Sequence, residues 1–171
     1  MPNSTLIRMR AEEWFNDVWN QARESSHKLV FYNSIKKELG FEPYLHLEKH
    51  KKIKFIAWLR TSSHLLNIET GRYGAKQASQ HHRACDFCTT DDKGLLQLLA
   101  NLPTIKLILE DEQHFLRDCP NYEELRNERS PVYKELLTNG DFEAIFSKDH
   151  VTETAKYVYK LSLKRYELGT D

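Results

Sequence analysis

Two of the three cysteines in the chain, Cys85 and Cys88, stand close together in the stretch HRACDFCTT. Two thiolates at this spacing provide half of a tetrahedral metal site, or the whole of a redox-active pair. The third cysteine, Cys119, follows His114 with four residues between them, which completes a C-x2-C-x25-H-x4-C pattern. A Cys3His set of this kind is typical of structural zinc sites. The spacing therefore predicts one zinc ion bound by Cys85, Cys88, His114 and Cys119.

A redox pair at Cys85 and Cys88, with Cys119 as a buried structural residue, is the alternative. A thioredoxin-like motif opens a helix after a strand within a βαβ unit, and this part of the sequence has no such pattern. In a regular helix, residues five apart are separated by about 500° of rotation, so His114 and Cys119 would point in different directions. Pro120 removes this difficulty, because we expect it to end the helix and let the sulfur of Cys119 turn back.

A catalytic zinc site is a further alternative. The stretch HLEKH at residues 46–50, followed by the C-x-x-C, is similar to the H-x-E and C-x-x-C signature of zinc deaminases. However, Ala84 stands where that signature has Pro, the gap after Glu48 is long, and His114 and Cys119 would have no role. We therefore expect that the chain is not an enzyme.

The elements that would position these residues are mostly helices. The chain has 171 residues, 40% of them hydrophobic, with only six Gly and five Pro, which favours a globular, helical fold. We predict a mainly α fold, a small helical domain organised around one Cys3His zinc knuckle with at most a short strand or hairpin. Periodicity and capping signals predict helices at 6–25, 28–39, 45–62, 94–103, 111–118, 121–129, 131–137 and 150–168, and an extended segment at 65–73. The segments 1–44, 45–130 and 131–171 are expected to form one compact domain.

Charge is unevenly distributed although the net charge is zero. Residues 46–83 carry eight basic residues against two acidic ones, whereas residues 84–171 carry eleven against seventeen. A basic stretch beside the C-x-x-C indicates a surface for RNA or single-stranded DNA. The predicted contacts are Lys51, Lys52, Lys54, Arg60, His64, Arg72, Tyr73 and Arg83. Since no apolar run approaches the roughly 20 residues of a membrane span, and the N-terminus lacks a signal-peptide pattern, we expect an intracellular protein of the nucleus or cytoplasm.

Several stretches resemble the C-terminal region of non-LTR (LINE-type) retrotransposon reverse transcriptases. They are KLVFYNSIKKELGFEPYL, WLRTSSHLLNIETGRY, CDFC and EDEQHFLRDCPNYEELR. In that family an R-x-S-x-H-x-L-x-I-E-x-G-R-Y segment precedes a CCHC zinc knuckle, and the motif is matched here by Arg60, Ser62, His64, Leu66, Ile68, Glu69, Gly71, Arg72 and Tyr73. Two departures are the long 89–113 segment inside the knuckle and the absence of a Y-x-D-D polymerase motif.

The resemblance implies a non-catalytic module with one structural zinc ion. Such a module holds template RNA or target DNA during target-primed reverse transcription, and its parent protein is an RNA-directed DNA polymerase. Expected partners are RNA or single-stranded DNA and the polymerase domain of a larger parent protein. The alternative is a purely structural zinc domain that contacts a parent polymerase or a host protein, through the apolar N-terminal helix with Trp14 and Trp19.

Overall fold

Helices are the only regular elements in residues 4–26, 28–73, 83–88 and 108–168, the part of the chain that the computed structural model describes. This confirms the mainly helical fold, while the helix predicted at 94–103 lies outside the described residues. The helices are α1 (Ser4–Ser25), α2 (Val30–Ile35), α3 (His50–Arg60), α4 (Asn67–Thr70), α5 (Glu123–Asn127), α6 (Pro131–Asn139), α7 (Phe142–Ile145) and α8 (Val151–Leu168). Single 3₁₀ turns at Pro43–His46 and Pro120–Tyr122 and a π-helical turn at His114–Asp118 join them.

The hydrophobic core is centred on α3 and α8. Ile56 and Leu59 of α3 are at most 2% exposed, and Val158 and Leu161 of α8 are fully buried. Burying side chains of this kind stabilises the fold by about 1.5–3 kcal/mol each. The same core continues through α2, α6 and α7 and includes two of the cysteines. The core therefore holds α3 and α8 together, and the segments that carry Cys85 and Cys119 pack into the same core.

Two predicted helices are shorter in the structure. The helix predicted at 28–39 ends at Ile35, where Lys36 turns into an extended conformation. The chain leaves the helix there so that Glu42 can reach the buried guanidinium of Arg60, with Glu42 Oε2 2.8 Å from Arg60 Nη2. The helix predicted at 45–62 begins only at His50, because Pro43 starts a separate 3₁₀ turn. The helix predicted at 121–129 is likewise confined to α5, with Asn121 in the preceding 3₁₀ turn.

The segment predicted to be extended at 65–73 forms the single helical turn α4 instead. A carboxylate from a distant part of the chain caps it, since Asn67 N donates to Glu110 Oε2 at 2.8 Å. A side-chain acceptor at a helix start satisfies a backbone donor that has no partner within the helix. The local alternation of apolar residues is thus overridden by a tertiary contact.

Helix α1 stands apart from this core. It carries the predicted apolar face, but none of its residues is buried, and Trp14 and Phe15 remain 59% and 56% exposed. Its last turn is attached to α2: Arg23 Nε donates to Asn33 Oδ1 and Asn33 Nδ2 donates to the carbonyl oxygen of Arg23, both at 2.9 Å. The apolar face of α1 is therefore available to a partner.

Candidate metal centre

A short antiparallel pairing brings the two halves of the site together. Ala84 and Leu109 form an isolated bridge, in which Cys85 N donates to the Ile108 carbonyl at 2.8 Å and Glu110 N donates to the Arg83 carbonyl at 3.0 Å. This is the only sheet-like pairing in the described residues. It places Cys85 beside the segment that leads to His114.

The ligand atoms of Cys85, Cys88, His114 and Cys119 all lie within 4.8 Å of one another. The sulfur of Cys119 is 4.0 Å from that of Cys85 and 3.7 Å from that of Cys88, which in turn is 3.3 Å from His114 Nε2. Metal–sulfur bonds of about 2.3 Å in a tetrahedron would give sulfur–sulfur edges of about 3.8 Å. The four residues predicted from the spacing therefore form a group that could hold a metal ion.

The backbone at His114–Asp118 explains how residues five apart can face one point. Cys119 N donates to the His114 carbonyl at 2.8 Å, which is the i→i+5 hydrogen bond of a π-helical turn. This wider turn reduces the rotation between His114 and Cys119, and their ligand atoms lie within 4.8 Å of each other. The predicted end of the helix before Pro120 is also present, since Cys119 is extended.

Three consecutive acidic residues, Glu110, Asp111 and Glu112, fix the segment that leads to His114, and each does so through a different partner. Glu110 binds Asn67 N and lies 2.7 Å from Arg165 Nε, and Asp111 Oδ1 accepts from His114 N at 2.8 Å. Glu112 Oε1 accepts from Ser62 Oγ at 2.6 Å and lies 2.9 Å from His64 Nε2. These three residues open the stretch EDEQHFLRDCPNYEELR that carries the family resemblance, but no role was predicted for them from the sequence.

The buried position of these carboxylates changes their acidity. Burial raises the pKa of Glu110, although Arg165 opposes this effect, and it also raises the pKa of Asp111. Burial alone would raise the pKa of Glu112 as well, but its hydrogen bonds with His64 and Ser62 outweigh it and the net pKa is lowered. Glu112 is therefore held as a carboxylate next to the metal-binding turn.

The pKa values of the cysteine thiols depend on the hydrogen bonds between them. The hydrogen bond with Cys119, together with burial, raises the pKa of Cys85 to about 12, and burial raises the pKa of Cys88. The same hydrogen bond from Cys85 lowers the pKa of Cys119. Without a metal, Cys85 and Cys88 are thus protonated at neutral pH, and a bound ion must displace those protons.

One predicted nucleic-acid contact, Arg60, lies in the interior, which corrects its assignment, and a second, His64, is engaged by the protein itself. Arg60 is 2% exposed, and its guanidinium lies against Glu42 and the rings of Tyr32 and Tyr44, with centroids 5.4 and 5.3 Å away. The side chain of His64 is 9% exposed and is bound to Glu112. The guanidinium of Arg60 is enclosed and paired, and both ring nitrogens of His64 are engaged within the protein, by Glu112 and by Leu66 N, so neither side chain is free to bind phosphate.

The other predicted contacts are accessible to different degrees. Arg72 and Arg83 are half-buried, and both donate to the carbonyl oxygen of Ile68, at 3.3 and 3.1 Å. Tyr73 is 62% exposed. Lys51 and Lys54 are exposed, and Lys52 is half-buried on the same helix. Among the predicted contacts, the accessible positive charge is therefore concentrated on α3.

Helix α8 adds to this charge, which the segment-by-segment count did not reveal. Burial and the nearby charges of Lys49 and Lys156 lower the pKa of Lys52, so Lys156 of α8 lies close to the lysines of α3. We call the lysines on and just before α3, together with the neighbouring lysine of α8, the lysine patch; it consists of Lys49, Lys51, Lys52, Lys54 and Lys156. Within the described residues none of the five forms an ion pair. By contrast, Lys160 is neutralised by Glu128 at 2.5 Å.

His46, the residue that a deaminase site would require, is not part of the metal-binding group. Its ring lies against Phe41, with centroids 4.6 Å apart, and it is exposed.

No helix among the described residues is long and apolar enough to span a membrane. Comparison of the chain with protein-family models, with curated proteins and with solved structures finds no match in any of the three.

Proposed function

We propose that the metal bound by Cys85, Cys88, His114 and Cys119 is a single zinc ion with a structural role. Three sulfurs and one imidazole nitrogen are donors that zinc prefers, and a site with four protein ligands leaves no position for water or substrate. The zinc ion would hold the 83–88 segment against the π-helical turn and so contribute to folding. A closed site of this kind supports a non-catalytic role.

We infer that the protein binds single-stranded RNA or DNA on the lysine patch. The observation that carries this proposal is the meeting of lysines from α3 and α8: Lys49 and Lys156 lie close enough to Lys52 to lower its pKa, and no lysine of the patch has an ion-pair partner in the described residues. Unpaired lysines side by side repel one another, and a phosphate backbone relieves that repulsion while releasing its own counterions. Tyr73, another of the predicted contacts, is also exposed.

The test is a titration of zinc-loaded protein with a labelled single-stranded oligonucleotide at several salt concentrations. The logarithm of the affinity should fall linearly with the logarithm of the salt concentration, by about 0.7 per phosphate contact. Substituting Lys51, Lys52, Lys54 and Lys156 by Ala should abolish most binding and reduce the slope by up to about 3.

Lys134→Ala with Lys148→Ala is the matched control, because it removes positive charge on α6 and in the loop after α7, outside the lysine patch. This variant should bind as the wild type does. Equal loss in the control and the lysine-patch variant, or no salt-dependent binding of the wild type to any strand, would contradict the proposal and leave zinc with a structural role only.

The resemblance to non-LTR retrotransposon reverse transcriptases gives this function a context. We propose that the chain acts like the C-terminal domain of such a polymerase and holds template RNA or target DNA. Four of the residues that carry the resemblance, Arg60, Ser62, His64 and Glu69, are buried or nearly so. Ser62 and His64 contact Glu112 beside the candidate metal centre, whereas Arg60 pairs with Glu42 and Glu69 pairs with Arg72. A genomic reading frame that continues upstream of Met1 without a polymerase would argue against this context.

A second candidate function is protein–protein contact, and the exposed apolar face of α1 favours it. A helix of 22 residues with no buried residue gains little from the rest of the fold. A parent polymerase or host partner would cover Trp14 and Phe15. Amide hydrogen exchange checks this candidate: α1 should exchange quickly in the isolated chain and become protected only when such a partner is added.

A further inference from the structure

A cleft opens between the C-terminal half of α3, the loop that leads into α4 and the end of α8. Its volume is about 380 Å³, within the range of small-ligand sites, about 300–1,000 Å³. Four aromatic side chains line it, namely Phe55, Trp58, Phe115 and Tyr166. A surface cleft with several flat rings in its walls suits a flat ligand group with an apolar face.

Positive charge adjoins the Trp58 side of this cleft. Lys54 Nζ lies 4.2 Å from the centroid of the Trp58 ring, and Phe55 meets Trp58 edge to face with centroids 5.7 Å apart. Lys51 lies one helical turn before Phe55, on the same side of α3. Because Lys51 and Lys54 also belong to the lysine patch, the patch extends to the edge of the cleft. An anionic ligand with flat groups is therefore favoured over a neutral apolar one.

The polar groups in the lining are already engaged within the protein. His64 binds Glu112, Asn67 Nδ2 donates to the Ala84 carbonyl at 2.7 Å, and Thr70 Oγ1 donates to the Leu66 carbonyl at 3.4 Å. Arg165 lies between Glu110 and Asp86, 2.7 and 3.3 Å from their carboxylates. The cleft therefore offers aromatic side chains to a ligand rather than free hydrogen-bonding groups that would read its edges.

We propose that this cleft binds an unstacked base of single-stranded RNA or DNA, with Trp58 as the stacking wall and with Lys51 and Lys54 beside the adjoining phosphates. The proposal rests on the proposed nucleic-acid binding and adds the place where a base is held. Stacking uses the π face that every base has, so the cleft should accept all four bases with little preference.

The experiment compares a single-stranded oligonucleotide of about ten nucleotides with an abasic strand of the same length, which keeps the sugar–phosphate backbone and lacks the bases. Zinc-loaded full chain is titrated into each labelled strand, and fluorescence anisotropy gives the affinity. The strand with bases should bind more tightly. Trp58→Ala should weaken its binding about tenfold and leave the abasic strand unaffected, whereas Trp58→Phe should retain most of the affinity.

Trp14→Ala is the matched control, because Trp14 is 59% exposed on α1 and does not line the cleft. Zinc content and circular dichroism establish that each variant is folded; if Trp58→Ala fails this check, Tyr166→Ala removes another wall and should show the same selective loss. Equal affinity for both strands, unchanged by either cleft variant, would overturn the cleft proposal while leaving lysine-patch binding intact. Failure of both strands to bind would overturn both proposals.

Discussion

Glu112 joins the segment after α3 to the metal-binding turn, and its removal tests that architecture directly. Glu112 and Ser62 are 7% and 2% exposed, and the Ser62 hydroxyl donates to Glu112 Oε1. Leu66 N donates to His64 Nδ1 at 3.3 Å, so the ring proton lies on Nε2 and also points to Glu112. Glu112→Ala would leave both donors without an acceptor.

The size of the effect follows from these two contacts. Each buried donor without a partner costs about 1–3 kcal/mol, so Glu112→Ala should lower the free energy of unfolding by about 3 kcal/mol. For a chain of this length that corresponds to a fall in Tm of about 6–12 °C. Thermal unfolding with excess zinc, followed by circular dichroism, measures it. Glu112→Gln keeps one acceptor oxygen and should lose about half as much.

Gln113→Ala is the control for this experiment, because Gln113 is the exposed neighbour of Glu112. Surface substitutions usually change stability by no more than about 0.5 kcal/mol. A Glu112→Ala variant as stable as Gln113→Ala would refute the reasoning, because it would mean that Ser62 and His64 find other acceptors at no cost.

Three further predictions concern the metal and the scaffold. Cys119→Ser should lose the bound zinc and lower the Tm, as measured by elemental analysis and calorimetry, whereas His46→Ala should do neither. Because Cys85 and Cys88 carry raised pKa values, zinc binding at neutral pH should release at least two protons; chelator competition should then show affinity rising about a hundredfold per pH unit and falling as the pH is lowered. Arg60→Leu should cost about 3 kcal/mol in urea unfolding, because Glu42 loses the buried guanidinium beside its Oε2, yet leave oligonucleotide affinity unchanged.

The four residues of the candidate metal centre could be predicted from the sequence because three cysteines and one histidine at fixed spacings leave few other arrangements. The helices α1 and α8 could be predicted from long apolar periodicity, which depends only on neighbouring residues. The helical turn α4 could not, since its cap comes from Glu110, more than forty positions further along the chain. The π-helical turn at His114–Asp118 was likewise out of reach, because its i→i+5 bonding has no pattern of its own.

The distribution of charge on the surface was the property that was hardest to predict from the sequence. Arg60 belongs to a basic stretch of the sequence, and only the fold shows that its guanidinium points inward to Glu42. Lys156 belongs to the half of the chain with an acidic excess, and only the packing of α8 beside α3 brings it to Lys52. Counting charges by segment therefore included buried residues and missed one lysine of the patch.

The candidate metal centre and the cleft are held in place by some of the same residues, so the two proposals are physically linked. Asp86 lies between Cys85 and Cys88 in the chain and pairs with Arg165, whose guanidinium also lies 4.8 Å from the centroid of the Phe87 ring. Arg165 and Asp86 both line the cleft. A bound ion would add a direct link between the 83–88 segment, at Cys85 and Cys88, and the turn that carries His114 and Cys119. An ion that fixes Asp86 and Phe87 therefore also fixes one wall of the cleft, whereas the lysine patch is carried by α3 and α8 and does not depend on the metal.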